Sequence, residues 1–255
     1  MAHDNSGKQL NTFHLFAGAG GGILADLLLG HNPIGACEVE PYPRNVLLQR
    51  QRDGILPEFP IWDDICTLDG RPWRGKVSIL HGGFPCQDIS AQGANHGEKL
   101  GINGNRSGLW SEYLRIIKEM RPEFVFAENS PLLRTRGLGT ILKGISALGY
   151  HARWCRLGGG AVGADHKRER LWILAYRAGD RLERRDYSDS EGQGKAKTRP
   201  VEGLCEGEVF ADLPSPDSFG IANGMAGRVD RLKAIGNGQI PQVAALAWKI
   251  LTCNL

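Results

Sequence analysis

The stretch that decides the fold lies near the start of the chain, where residues 12–29 read TFHLFAGAGGGILADLLL. Its first five residues form a short apolar run that predicts a buried strand. A glycine-rich turn follows over residues 17–22, and the apolar residues 23–29 predict a helix. A turn of this kind lets a ligand lie against the backbone, beside the free N–H groups of the helix. The alternative is a tight turn that binds nothing.

The alternation of short strands and helices continues along most of the chain. Strands are predicted over residues 33–39, 77–80, 123–127, 151–156 and 171–176, and helices over residues 109–120, 138–148 and 242–251. Pro241 stands where the last helix should start, a position that proline favours. This alternation predicts an α/β fold with a largely parallel sheet.

Length and composition limit the classes of protein to consider. The 255 residues suffice for one core with a small appended lobe. With 41% hydrophobic and 23% charged residues the chain resembles a soluble globular protein, and a net charge of +3 permits a polyanionic partner without requiring one. The six cysteines include no CxxC pair, which argues against a zinc ribbon or a thioredoxin-like site. We see no signal peptide and no apolar run of the roughly 20 residues that span a bilayer, so we expect a reduced, cytoplasmic protein without a metal.

A candidate nucleophile follows the strand predicted over residues 77–80. Residues 83–87 read GFPCQ, so Cys86 lies just beyond the carboxyl end of that strand, where open α/β sheets place their active sites. Pro85 fixes the backbone before the thiol, and Gly82 and Gly83 leave room beside it. A cysteine in this setting is a candidate nucleophile. The alternative is a buried, inert thiol.

Charged side chains follow or precede several other predicted strands. Glu128 ends one of them, and burial there would raise its pKa and let it donate a proton. Arg168 and Arg170 alternate before another, so on an extended segment both would point to one face. Glu38 and Asp64 follow earlier strands, where a carboxylate suits ribose hydroxyls or an adenine amino group. Each of these residues taken alone is more often a solvated surface charge.

Taken in order, five motifs resemble those of the DNA (cytosine-5)-methyltransferase family. They are FAGAGG at 16–21, GFPCQ at 83–87, ENS at 128–130, HKRER at 166–170 and RLKAIGNG at 231–238. The resemblance implies a Rossmann-like S-adenosylmethionine-dependent methyltransferase fold with a mostly parallel sheet and a small variable recognition lobe. It divides the chain into a catalytic and cofactor-binding domain (1–176), a short target-recognition region (177–227) and a C-terminal segment (228–255) whose helix returns to pack beside the first helix.

The resemblance also implies a reaction: transfer of a methyl group to C5 of cytosine in double-stranded DNA. Cys86 would attack C6 of a flipped-out base, because C6 cannot be reached inside a stacked duplex. Glu128 would meet N3 and the exocyclic amine, Arg168 would hold the target base, and Arg170 would organise the site. Residues 87–106 would form a loop that closes over the base, with Ser90, Gln92 and Arg106 as DNA contacts.

S-adenosylmethionine is the cofactor that the resemblance implies. Its methionine end would lie against the first motif and its ribose against Glu38, while Val39, Asp64 and Ile65 would contact the adenine. Asn237 would close the pocket from the C-terminal side. The residues assigned to the methionine end are Phe16, Gly18, Gly20 and Gly21.

Three positions depart from the family pattern. His14 stands where the family often carries Asp on the cofactor side, Ser130 replaces a valine, and His166 stands where glutamine is common. The recognition region is short and polar, which suits reading a short site and weakly suggests an orphan enzyme rather than one paired with a restriction endonuclease in a restriction-modification system. We expect a monomer acting on double-stranded DNA.

Other functions remain open from the sequence alone. An RNA methyltransferase on the same scaffold would carry an extra cysteine-rich signature after Gln87, which is absent. A non-catalytic nucleic-acid-binding relative would have lost Cys86, Glu128 or Arg168, and all three are present. An unrelated cysteine-dependent or dinucleotide-binding enzyme requires the motif order to be chance. The transferred group could also differ from methyl.

Overall fold

A computed structural model describes residues 9–84, 108–177, 198–200, 230, 234, 236–253 and 255, the short range 198–200 by its backbone only. Within these residues the strands are β1 Asn11–Leu15, β2 Asn32–Cys37, β3 Ile61–Trp62, β4 Ile79–Gly83, β5 Phe124–Asn129, β6 Tyr150–Leu157, β7 Arg170–Arg177 and β8 Thr198–Pro200. The helices are α1 Gly21–Leu28, α2 Pro41–Arg52, α3 Leu109–Met120, α4 Leu133–Arg136, α5 Leu138–Ala147 and α6 Pro241–Thr252, with 3₁₀ turns at Arg71–Trp73 and Gly159–Val162.

The described strands form one sheet in the order β3-β2-β1-β4-β5-β7-β6-β8. Strands β1 to β5 run parallel, whereas β7 is antiparallel to both β5 and β6. The predicted α/β fold with a largely parallel sheet is therefore confirmed. Strands β2 and β3 lie on one side of β1, and β4 and the later strands lie on its other side. Ligands of open α/β sheets bind where the strand order reverses in this way.

Helices cover both faces of the sheet because successive strand side chains point to opposite sides. Val125 and Ala127 of β5 join the core under α3 and α5, while Phe126 between them faces α1 and α6. On that second face Phe126 lies between the rings of Trp172 and Trp248. Helix α6 packs against α1, as the family resemblance implied. Among the helices that the structure describes, none is both long and apolar enough to cross a membrane.

Most predicted elements have their expected place, and the differences have physical reasons. Helix α3 occupies the predicted residues, and its C-cap Arg121 takes a left-handed conformation just before Pro122. Helix α2 was not predicted, because Leu47 is its one fully buried residue and its remaining apolar residues form no regular buried face. Strand β3 is two residues long, too short for a pattern to reveal.

Candidate active site

The glycine-rich turn after β1 is held by the carboxylate of Glu38, the residue directly after β2. Phe16, Gly18 and Gly20 all have positive φ angles, of 53°, 54° and 93°. The Gly18 N–H donates to Glu38 Oε2 at 2.6 Å, and the Glu40 N–H donates to Glu38 Oε1 at 2.8 Å. Burial raises the pKa of Glu38, against the lowering effect of these two backbone hydrogen bonds. The first motif and Glu38 are thus joined at the carboxyl ends of β1 and β2.

Two observations indicate free space beside residues that were predicted to bind a cofactor. A Cβ atom added to Gly18 would meet nothing within 4 Å. Val39, next to Glu38, is 59% exposed although it is apolar. Asp64 is half-buried and accepts a hydrogen bond from the Cys66 N–H at 2.9 Å, while Ile65 is buried in the core. A carboxylate beside an exposed apolar side chain suits a ligand with a ribose and a planar base.

Two of the glycines predicted to bind the cofactor are also required by packing within the chain. A Cβ atom at Gly21 would lie 2.2 Å from the backbone oxygen of Gln239, and one at Gly20 would lie 2.9 Å from a methyl carbon of Leu47. These glycines allow the C-terminal segment and α2 to approach α1 closely. Their identity is therefore explained without a ligand.

Glu128 is the candidate acid, and its burial raises the pKa of its carboxyl group. It lies near the end of β5, directly opposite Gly83 of β4, and is 7% exposed. Burial raises its pKa, opposed by the charges of Arg170, Arg168 and His81. The Arg170 Nε atom lies 2.8 Å from Glu128 Oε1. A Cβ at Gly83 would lie 2.5 Å from Glu128 Oε2, so the glycine leaves room for this side chain.

Arg168 and Arg170 precede the predicted strand, but they do not both lie on the extended segment that was expected there. Strand β7 begins at Arg170, and Arg168 has a φ of 22°, so the two residues do not alternate along one extended segment as predicted. The Arg168 guanidinium donates to the backbone oxygens of Gly236, at 2.7 Å, and Gly238. These carbonyls flank the exposed Asn237. Arg168 therefore fixes the segment that carries Asn237, while Arg170 contacts Glu128.

The chain leading to Cys86 is anchored beside Glu128. The buried Asn129 side chain donates from Nδ2 to the Phe84 carbonyl at 2.9 Å. The Phe84 ring packs 4.9 Å from that of Trp110 and 6.2 Å from that of Tyr113, both on α3. Cys86 and the predicted DNA contacts Ser90, Gln92 and Arg106 lie outside the described residues.

A buried polar cluster next to this site was not predicted from the sequence. Asp26 of α1 accepts hydrogen bonds from three imidazoles, those of His14 at 2.8 Å, His31 at 3.1 Å and His81 at 3.2 Å. His14, which departs from the family pattern, thus points into the protein interior rather than towards the cofactor side. The ring nitrogens of His14 and His81 and the carboxylate oxygen of Asp26 lie within 4.8 Å of one another, and their spacing is that of hydrogen bonds. The sequence did hold one indication of this cluster, because Asp26 lies on the otherwise apolar buried face of α1.

Gln239 was also missed, because no motif includes it. Its Oε1 atom lies 3.0 Å from His81 Nε2, and hydrogen bonding from its side chain is one of the influences that lower the pKa of Glu128. Gln239 therefore joins the buried cluster to the candidate acid.

Residues 10–236 match the family of C-5 cytosine-specific DNA methylases. The chain belongs to this family. Type II methyltransferase M.Eco47II of Escherichia coli is 33% identical over 221 residues, which cover 84% of this chain and 50% of the relative. M.CviJI of Paramecium bursaria Chlorella virus IL3A is 28% identical over 184 residues, covering 72% and 46%. The chain spans about half the length of the curated relatives it matches.

Solved structures share the fold of this member of the family. A DNMT2 mutant of Spodoptera frugiperda is 15% identical with a TM-score of 0.55, over 76% of this chain and 55% of the other. The methyltransferase EhMeth of Entamoeba histolytica is 15% identical with a TM-score of 0.54, over 75% and 58%. The predicted methyltransferase fold is thereby confirmed.

Proposed function

We propose that this chain transfers a methyl group from S-adenosylmethionine to C5 of cytosine in double-stranded DNA, with Cys86 as covalent nucleophile. The observation that carries the proposal is the joint between β4 and β5. There the buried Glu128 faces Gly83, and Asn129 holds Phe84 two residues before Cys86. An acid and a nucleophile held at the ends of adjacent strands can act on one base. Membership of the C-5 cytosine-specific family supports the same reaction.

The proposed chemistry needs a proton donor at the base, because cytosine C5 is a poor nucleophile. Attack of the Cys86 thiolate on C6 makes C5 enamine-like, and negative charge develops at N3. A protonated Glu128 relieves that charge by donating to N3, and its burial keeps the proton available. Once C5 carries the methyl group, loss of the C5 proton to a base allows the C6–S bond to break. N3 returns its proton to Glu128, the aromatic ring is restored and the Cys86 thiolate is freed.

The geometry supports a division of roles between the two arginines that differs from our expectation. Arg170, at 2.8 Å from Glu128, can orient this carboxyl group and reach a base bound to it. Arg168 is engaged with the backbone of residues 236 and 238. We assign Arg170 to the target base and Arg168 to holding the segment around Asn237.

The residues around Glu38 suit the cofactor. S-adenosylmethionine, when bound, supplies the methyl group as an electrophile. Glu38 would accept the ribose hydroxyls, with Val39 against the adenine and Asp64 near its amino group. The open space at Gly18 leaves room for the methionine end beside Phe16.

Other residues predicted to bind the cofactor would support this pocket from further away. Ile65 lies in the core beneath it. Gly21 allows the C-terminal segment to approach, and Gly20 allows α2 to approach. Asn237 would close the pocket from the C-terminal side.

Recognition of DNA is assigned to parts of the chain that flank this site. Residues 177–227 would read the target sequence, and Ser90, Gln92 and Arg106 would contact the DNA around the flipped base. Extruding a base costs a few kcal/mol, which contacts in the pocket must offset. Residues 1–176 and 228–255 would together form the catalytic domain, which acts as a monomer.

Expression in a host that lacks DNA methylation tests the proposal. DNA from cells carrying the wild-type chain should contain 5-methylcytosine by mass spectrometry, and DNA from cells carrying Cys86→Ala should contain none. Cys66→Ala, which alters an exposed thiol, is the matched control and should leave the modified base in place. If neither DNA nor RNA gains 5-methylcytosine from the soluble wild-type chain, the proposal is wrong. If RNA alone is modified, the substrate has been misassigned.

A further inference from the structure

The cluster around Asp26 has a defined hydrogen-bond polarity. Burial alone would raise the pKa of Asp26, yet the charge of His81 and hydrogen bonds from His14, His31 and His81 hold that pKa well below 3.8. Asp26 is therefore ionised and can only accept hydrogen bonds. Each imidazole nitrogen that faces it must carry a proton. His81 thus donates from Nδ1 to Asp26, which leaves its Nε2 atom for Gln239.

Gln239 lies in a slot made by glycines on three sides. A Cβ atom at Gly22 would lie 2.7 Å from Gln239 Oε1, one at Gly83 would lie 3.3 Å from Nε2, and one at Gly21 would lie 2.2 Å from its backbone oxygen. These glycines come from α1 and β4, two separate elements. The side chain is therefore confined between His81 and Glu128, where it can exchange its two ends but has little room to leave.

We infer that Gln239 is a positioning residue that couples the Glu128 carboxyl group to the buried His81–Asp26 pair through the orientation of its amide. In the arrangement described here the Gln239 N–H donates to Glu128 and its carbonyl accepts from His81 Nε2. When Glu128 holds a proton, the amide turns over. Its carbonyl then accepts from the Glu128 O–H, and its N–H donates to a bare His81 Nε2.

The two arrangements make one proton exclude another. A Glu128 O–H that donates to the amide requires a bare His81 Nε2, and a proton on His81 Nε2 that donates to the amide favours an ionised Glu128. No proton crosses the amide, so this coupling acts through hydrogen-bond direction and adds to the direct effect of the His81 charge on Glu128. It favours a neutral pair at the moment when the acid is needed. The inference takes its catalytic meaning from the proposed role of Glu128, although the coupling itself can be measured without turnover.

Other groups around these side chains also bear on their charge. Glu128 is faced by Arg170 and Arg168 from the segment at β7, and by His81 from β4. His81 is faced by Asp26 from α1, and by the rings of His14 on β1 and Phe126 on β5, each 4.8 Å away. None of these groups is altered by replacing Gln239, so a variant at this position isolates the amide.

A cycle of variants read by ¹⁵N NMR of the histidine rings tests the coupling in the full chain. Glu128→Gln removes the carboxylate, so the fraction of His81 rings protonated on both nitrogens at pH 7 should fall by at least about threefold. In a Gln239→Met background, which keeps the shape of the side chain without its polar ends, Glu128→Gln should change that fraction by less than half as much, because only the direct effect of the Glu128 charge remains. Gln242→Met makes the same chemical change three residues away and should preserve the full response.

Equal responses to Glu128→Gln with and without Gln239 would overturn the inference, as would no response in either background. Gln239→Leu serves in place of Gln239→Met if the latter does not fold, as judged by circular dichroism. Because the readout is ring protonation, a chain that lacks methyltransferase activity can still confirm the coupling. An active chain with uncoupled His81 would contradict this inference and leave the proposed function intact.

Discussion

Gly83 and Glu128 stand opposite each other on β4 and β5, and a Cβ atom at position 83 would lie 2.5 Å from Glu128 Oε2. Gly83→Ala should therefore displace the acid without straining the backbone, since its φ angle is not among the positive ones. We expect kcat to fall by about 100-fold, the cost of a misplacement near 1 Å. Steady-state methylation assays measure this.

Gly139→Ala is the matched control for that change. Gly139 lies in α5, and a Cβ there would meet nothing within 4 Å. Its activity should equal that of the wild type. Equal activity of Gly83→Ala and Gly139→Ala would show that the position of Glu128 does not matter for catalysis.

Removal of Arg170 should change the pH dependence as well as the rate. Burial raises the pKa of Glu128 and Arg170 opposes that rise, so Arg170→Ala leaves the pKa higher still. Because the protonated acid is the active form, the activity of the wild type falls as pH rises through this pKa, and in the variant the fall should begin at higher pH. We expect kcat to drop by about 100-fold. An unmoved alkaline limb in the profile of kcat/KM against pH would argue against Glu128 as the acid.

Glu38→Ala should weaken binding of S-adenosylmethionine by about 100-fold. The Gly18 and Glu40 N–H groups would lose the carboxylate that accepts their hydrogen bonds, and the ribose hydroxyls would lose the same acceptor. Isothermal titration calorimetry measures the Kd. Glu58→Ala removes an exposed carboxylate close in sequence and should leave the Kd unchanged. A Glu38→Ala chain that binds the cofactor normally would place the ribose elsewhere.

The burial of His14 predicts a specific acid sensitivity of folding. Burial lowers the pKa of His14 below its ordinary 6.5, so the native state prefers the neutral ring. Its contribution to stability is fully present above pH 6.5 and is lost as pH falls from 6.5 towards the lowered value. Asp26, whose pKa is also lowered, contributes stability that is lost only below 3.8. The window between these pH values therefore belongs to His14 rather than to Asp26.

His14→Asn should flatten the dependence of the unfolding free energy on pH within that window. One proton corresponds to at most about 1.4 kcal/mol per pH unit. Urea denaturation between pH 5 and 7 measures the slope. Parallel curves for the wild type and the variant, merely displaced in free energy, would mean that His14 titrates alike in the native and unfolded chains.

The fold was largely predictable because its main elements carry strong patterns. Helix α3 places apolar residues at helical spacing, and Pro241 marks the start of α6. Helix α2 escaped prediction because a polar helix that buries little beyond Leu47 has hardly any periodicity to detect. Local patterns reveal elements only when those elements bury a regular face.

The candidate site was predictable where function is tied to a motif. Glu38 and Glu128 were found because each carboxylate directly follows an apolar strand. Asp26, His81 and Gln239 were missed because their roles arise from contacts between residues distant in sequence. Asp26 and His81 are 55 positions apart, and His81 and Gln239 are 158 positions apart. Such contacts exist only once the sheet has brought β4, α1 and the C-terminal segment together.

Trapping the covalent adduct tests the central claim most directly. Fluorine at C5 of cytosine cannot leave as a proton does, so elimination of the thiolate is blocked after methyl transfer. DNA of mixed sequence that contains 5-fluorocytosine, incubated with the full chain and S-adenosylmethionine, should yield a protein–DNA species that survives denaturation and maps to Cys86 by peptide mass spectrometry. Cys86→Ala should give none. An adduct on another cysteine, or no adduct with a chain that binds the cofactor, would contradict the account.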